Sequence, residues 1–182
     1  MTRQPKKICI LPAQLGLGGP ASFQSGLIRS FKERGVEVTH DPLDPTLTAI
    51  LLFGAARNLA EVRQAQSRGV RLVQRLNGMN WVHRKKFTGV RHFIKAEVGN
   101  LKLRSVRKMV DRVIYQSQFA RDWWEREHGV LEKAQAVIHN GVDLELFTPQ
   151  PPEKPVERYR ILMVEAHHGS GYEQGLHSAV QL

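Results

Sequence analysis

Short apolar runs alternate with stretches of helical period along almost the whole chain, and no other feature limits its fold more. Lys7-Ile-Cys-Ile-Leu11 predicts a buried strand. Gly16-Leu-Gly-Gly-Pro20 predicts a turn, with Pro20 suited to open a helix. Phe23, Leu27, Ile28 and Phe31 then recur at helical spacing, and Gly35 ends the helix. Val36-Glu-Val-Thr39 and the run Thr48 to Phe53 read as strands. Ala55 to Ser67 reads as a helix with Leu59, Val62 and Gln66 on one side. Val70 to Leu76 is another strand, ending at Asn77-Gly78. A helix is predicted over Val90 to Met109, then a strand at Arg112-Val-Ile-Tyr-Gln116. Ser117 is placed to cap a helix from Gln118 to His128, closed by Gly129. Ala136-Val-Ile-His139 is the last strand of the series, turning at Asn140-Gly141, a pair that readily takes positive φ. Strands alternating with helices predict an α/β fold: a Rossmann-like, doubly wound parallel sheet with helices on both faces.

The series accounts for residues 1–148. Pro149-Gln-Pro-Pro-Glu-Lys-Pro155 follows, with four prolines in seven residues. Such a run is stiff and extended, so 149–157 reads as a linker. Arg160-Ile-Leu-Met-Val164 then begins a new strand, followed by Gly169-Ser-Gly171 and a helical stretch to Leu182. Residues 158–182 therefore read as the start of a second unit, too short to bury its own apolar faces.

Composition excludes several classes. The 182 residues are 41% hydrophobic and 24% charged, which is globular rather than disordered. No apolar run approaches the roughly 20 residues of a membrane span. The basic N-terminus is followed by only Ile8 to Leu11 before Pro12, too little for a signal-peptide core. The single cysteine, Cys9, excludes an internal disulfide framework and a cysteine-based zinc site. A cytoplasmic protein is expected. Of the eight histidines, His167 and His168 are adjacent on a loop without a helical partner, so no metal is expected. There is no G-x-S-x-G nucleophile elbow.

The net charge is +10, and most of it is local. Between His83 and Arg112 ten Lys/Arg face only Glu97 and Asp111. A field of that sign favours phosphates. On a helical wheel Ile94, Val98, Leu101 and Met109 share an arc, but Arg91, Lys95 and Lys102 intrude on it. The segment 84–112 thus reads as a solvated or phosphate-lined face, with peripheral contact to an anionic membrane as its second reading. Trp81, Phe87 and Phe93 match no nucleic-acid module, and no nucleic-acid partner is expected.

Two strings carry chemistry. Gly16-Leu-Gly18-Gly19-Pro20-Ala21 sits between the first strand and helix and satisfies G-x-G-x-x-A. With Asp41 near the end of the second strand, it allows a nicotinamide-dependent oxidoreductase fragment. Pro20 removes one N–H that would face a pyrophosphate, and Asp41 before Pro42 reads equally as a turn residue. A ligand-free turn, another phosphate or sugar ligand, and a non-enzymatic phosphate-binding or nucleic-acid-binding module stay open. The second string is Val137-Ile-His-Asn140-Gly141-Val-Asp143 with Phe147 and Pro149. As local chemistry it is a strand end and a tight turn.

Its spacing resembles the I-x-N-G-V-D-x-x-x-F-x-P signature of family 4 retaining glycosyltransferases. Gly18-Gly19-Pro20 is similar to that family's N-terminal loop, and Val113-Ile-Tyr-Gln-Ser117 with Phe119 to its V-x-x-x-S-x-F junction. The resemblance runs from about Lys7 to Leu182. It implies one half of a GT-B fold, in which a sugar moves from a nucleotide-diphosphate donor to an acceptor hydroxyl, lipid-linked or other, with retention and without a metal. It places Gly18 and Gly19 at the cleft. Asn77 and Trp81, in the loop after the fourth strand, and Asn140 and Gly141 become candidate acceptor-side residues. Asn77 would hydrogen-bond a sugar hydroxyl and Trp81 would stack on a sugar face, a turn residue and a core aromatic being the alternatives. His168, Gly169, Gly171 and Gln174 are the candidate donor-phosphate residues, His168 and Gln174 standing where the family has Arg and Lys. No catalytic residue is assigned. The chain ends at Leu182 without the family's Glu-x7-Glu region, so it is expected to be truncated, to supply mainly the acceptor side and to be inactive alone.

Overall fold

The computed structural model describes residues 6–13, 19–56, 58–145, 147–148, 177 and 179–181. Two units are distinguished. One comprises Met1–Asn80 and Glu97–Gly141; the other comprises Trp81–Ala96 and Val142–Leu182. The expected linker at 149–157, and all of 158–182 except four residues, lie outside the described residues.

The first unit is built on six parallel strands: β1 (Lys7–Leu11), β2 (Glu37–Thr39), β3 (Ala49–Phe53), β4 (Arg71–Leu76), β5 (Arg112–Tyr115) and β6 (Ala134–Val137). Their order is β2-β1-β3-β4-β5-β6, so the chain reverses its winding between β1 and β3. In such sheets the crevice beyond the strands' carboxyl ends, at the switch point, is where ligands bind. The predicted Rossmann-like, doubly wound parallel sheet is the fold observed.

Alternate strand residues feed two cores. Ile10, Leu51 and Phe53 face α1 (Gly19–Glu33), which contributes Phe23, Leu27, Ile28 and Phe31. Cys9, Ile50, Leu52, Leu72, Leu76 and Val113 form the opposite core. There they meet Val62 and Ala65 of α2 (Leu59–Ser67), Val106 of α4 (Val90–Met109), and Ala120 and Trp124 of α5 (Gln118–His128). Helices therefore cover both faces. Cys9 is a buried small hydrophobe, and burial pushes its thiol up to about 12.

The helix ends follow local chemistry. Gly35 takes φ +69°, with its N–H on Lys32 O and the Val36 N–H on Phe31 O, a Schellman closure. Gly69 and Val70 close α2 in the same way on Gln66 and Ala65. Ser117 caps α5 by accepting from the Ala120 N–H at 3.1 Å.

Three expectations need correction. α2 begins at Leu59 rather than Ala55, because Asn58 caps it by accepting from the Glu61 N–H, and Gly54 at φ +80° breaks the helical path. β6 is Ala134–Val137, two residues earlier than read, because register with the four-residue β5 pairs Arg112 with Ala134 and Tyr115 with Val137. The Ile138 N–H still reaches Tyr115 O at 2.9 Å. Gly141 is not at positive φ, so the glycine of the Asn140-Gly141 pair does not take the left-handed conformation.

In the second unit α3 (Val82–Lys85) leads to Gly89 at φ +91° and the start of α4. His83 is buried against the edge of Phe93, with ring centroids 5.1 Å apart.

Candidate functional site

A guanidinium organises the carboxyl end of the sheet. Arg75 is the penultimate residue of β4 and is only 5% exposed. Its side chain points to the α1 face, with its guanidinium carbon 4.1 Å from the centre of the Phe23 ring and 5.6 Å from that of Phe53. A desolvated cation over aromatic faces gains up to about 2 kcal/mol, less than an ionised group loses on leaving water. Burial accordingly holds the Arg75 pKa below its ordinary value. No carboxylate among the described residues pairs with it. Instead Nη1 donates to Asn77 Oδ1 at 2.7 Å and Nη2 donates to Asn140 Oδ1. Nε is buried with no hydrogen-bond partner among the described residues. Asn77 and Asn140 are themselves exposed.

The loop after β4 is held from behind. Trp124, fully buried in α5, donates its indole N–H to Asn77 O at 2.8 Å. A Cβ at Gly78 would stand 3.3 Å from the Trp123 ring, so the indole lies close over this position. Asn100, 2% exposed on α4, forms a reciprocal clamp. Its Oδ1 accepts from the Asn80 N–H at 3.0 Å, and its Nδ2 donates to Asn80 O at 2.7 Å. Each contact satisfies a loop backbone group that would otherwise be costly to bury. Asn140 arrives from the far side, just past β6.

The structure thus unites Asn77 and Asn140, 63 positions apart in the chain, through Arg75. Gly141 follows Asn140 at the same edge with open space around its Cα, and Gly19 opens α1 with open space likewise. Trp81 belongs to the second unit, where it precedes α3 and is 47% exposed, which excludes a core role. Gly18, His168, Gly169, Gly171 and Gln174 lie outside the described residues. Sequence reasoning missed Arg75, Asn100 and the role of Trp124. The one available signal was a charged residue in the otherwise buried run Val70 to Leu76.

Asp41 is a turn residue: its Oδ1 accepts from the Leu43 N–H at 2.8 Å. That geometry uses the carboxylate locally, at the place where a dinucleotide site would need it for a ribose.

The model of glycosyltransferase family 4 matches residues 11–146. The chain belongs to glycosyltransferase family 4. The match takes in both glycines of the N-terminal loop, Asn77, Trp81 and the Asn140-Gly141-Val142-Asp143 string. Comparison with curated proteins and with solved structures found no match. The family 4 domain carries a glycosyltransferase function in general, and the Arg75–Asn77–Asn140 constellation lies at the carboxyl end of its sheet.

The basic segment differs from its wheel. α4 packs through Asn100, Leu103, Val106, Arg107 and Met109, so of the predicted apolar arc Met109 meets the core while Ile94, Val98 and Leu101 do not. Ile94, Val98 and Leu101 are 57%, 45% and 60% exposed, beside exposed Arg91, Lys95 and Lys102. Arg107 leaves the basic face altogether and is buried, its Nε donating to the Tyr115 hydroxyl and its Nη2 to Gly129 O. Among the described residues no helix is long and apolar enough to cross a membrane, and no three His, Cys, Asp or Glu side chains cluster as a metal site would require.

Proposed function

We propose that this chain supplies the acceptor-side domain of an enzyme that moves a sugar from a nucleotide-diphosphate donor to an acceptor hydroxyl with retention. The observation that carries the reading is the family 4 match over a sheet whose carboxyl edge presents Asn77 and Asn140 on a buried arginine. The work of such a site is positioning the acceptor and stabilising the departing diphosphate, not supplying a nucleophile. Gly18 and Gly19 would approach the diphosphate, and Trp81 would take a sugar face. His168, Gly169, Gly171 and Gln174 would belong to the donor side, in a domain opening at about residue 158 beyond a linker at 149–157. The reaction needs no metal in this reading, and the acceptor is bound by this domain.

Saturation-transfer NMR with hydroxylated sugar acceptors, UDP-sugars and NADH tests it. Acceptor binding that weakens about tenfold in Asn77→Leu supports the reading. Preference for NADH over every sugar ligand overturns it in favour of the oxidoreductase alternative, against which the local bond of Asp41 already argues.

The outer face of α4 supports a membrane partner. An exposed apolar centre flanked by cations, with no exposed acidic residue on the helix among those described, suits the headgroup region of an anionic bilayer at the cytoplasmic face. Co-sedimentation with phosphatidylglycerol vesicles, but not phosphatidylcholine vesicles, is expected. Ile94→Glu with Leu101→Glu should abolish it. Binding unchanged in that double variant overturns the assignment.

A further inference from the structure

We infer that Arg75 is a positioning residue that converts the sheet edge into a receptor for an oxyanion, a phosphate or carboxylate group carried by the substrate. The inference deepens the acceptor-edge reading but does not depend on glycosyl transfer.

Hydrogen-bond arithmetic decides which groups face outward. A carboxamide has one accepting oxygen and one NH2 group with two donors. A guanidinium only donates, so it fixes both amides with Oδ1 inward. Asn77 Oδ1 and Asn140 Oδ1 are both committed to Arg75. Their Nδ2 groups have no hydrogen-bond acceptor among the described residues, and both side chains are exposed. Each oxygen keeps a second lone pair but is drawn toward the arginine, so what the pair turns outward to a ligand is chiefly N–H donors. A sugar hydroxyl can accept there but must place its own proton elsewhere, so it gains less. A phosphate or carboxylate only accepts, and it gains most.

The charge balance points the same way. Behind the two amides lies a cation with no carboxylate partner among the described residues and one buried N–H, at Nε, left without an acceptor. Phe23, over the guanidinium, is four residues from Gly19, which opens α1. The first turn of a helix adds positive potential in the same neighbourhood. Placed beside the two amides, an anion would neutralise a charge the fold leaves unmatched.

Amide-selective 15N NMR of the whole chain, following the side-chain NH2 signals of Asn77 and Asn140, tests this. Probes are pyrophosphate, UDP, glucose 6-phosphate and glucuronate, with neutral glucose as the control. Both NH2 signals should shift with the anions, more weakly as salt rises, and glucose should need about tenfold higher concentration for the same shift. Pyrophosphate and UDP acting alone would assign the group to the donor. Glucose 6-phosphate or glucuronate acting more strongly would assign it to an acidic acceptor. Asn140→Asp supplies the missing carboxylate: it should fold at least as stably as the unchanged chain and lose anion binding tenfold or more. Arg75→Lys keeps the charge but loses the fork, and should weaken the anions about tenfold while leaving glucose unaffected. Shifts with glucose but not with anions, no shift with any probe, or undiminished anion binding in Asn140→Asp each overturn the inference. Preference for NADH over every sugar ligand, with intact anion shifts, would count against the proposed function alone.

Discussion

Arg75 and Arg107 are both buried arginines with no carboxylate partner among the described residues, yet the fold treats them oppositely. Arg107 is 1% exposed, with its guanidinium 6.0 Å from the Trp124 ring centre. It donates to the fully buried Tyr115 hydroxyl at 3.1 Å and to Gly129 O at 2.9 Å. Gly129 O lies at the closing end of α5. Arg75 spends its donors on two exposed carboxamides. The first arginine ties α4 to β5 and the end of α5. The second transmits its charge outward through side chains a ligand can reach. A buried cation is therefore structural or functional according to what its partners touch next.

Substituting each arginine by leucine gives the largest expected effect and the sharpest test of that contrast. Arg107→Leu strands two acceptors and should cost about 3 kcal/mol in urea unfolding. Arg75→Leu frees Asn77 and Asn140 to bond water and leaves an apolar side chain against Phe23 and Phe53. It should change stability by no more than about 1 kcal/mol. Equal losses in the two variants would break the comparison.

Ser117→Ala removes the cap of α5, the helix that holds Asn77 through Trp124 and ends on the Gly129 carbonyl that Arg107 uses. A loss of about 1 kcal/mol is expected by urea unfolding. Faster hydrogen exchange should appear at the Trp124 indole. An unchanged indole rate would separate α5 from the site.

The smallest effect lies at the opposite edge of the sheet, where a charge is paired conventionally. Asp44 accepts from the Thr46 hydroxyl and backbone N–H and from Lys7 Nζ, contacts that hold its carboxyl down at about 2 from an ordinary 3.8. A folded pKa below the unfolded one contributes stability that is complete above about pH 4 and is lost as pH falls towards 2. Asp44→Asn should therefore flatten the acid limb of the stability curve in that window. A limb as steep as that of the unchanged chain would assign the acid sensitivity to other carboxylates.

Much of this was legible before any coordinates. The span of α4, the Ser117 cap and the Gly35, Gly69 and Gly129 stops follow from signals within a few residues of one another. The Asn77 and Asn140 assignments came from loop position and family resemblance, and both residues lie at the sheet edge. The misreadings have two causes, one local and one long-range. The start of α2 turned on a cap at Asn58, a local signal passed over. The bounds of β6 were set by β5, and the packed side of α4 by Val106, Asn100 and Leu103 meeting partners far away in sequence. On the wheel, Ile94, Val98 and Leu101 were as good a core as any, and only the packing showed them facing outward.

Periodicity and punctuation were enough to dictate an alternating α/β chain, because helix and strand preferences act over neighbours that the chain itself supplies. Parallel pairing followed, since strands joined through helices return in the same direction. The joining of Arg75 to Asn140, 65 residues later, was not written in any local pattern. It exists because the sheet order places β4 and the end of β6 at one edge, two strands apart, while α1 brings Phe23 over the guanidinium. Burial, and with it the meaning of a charge, is a property of what surrounds a residue, and the fold alone supplies those surroundings.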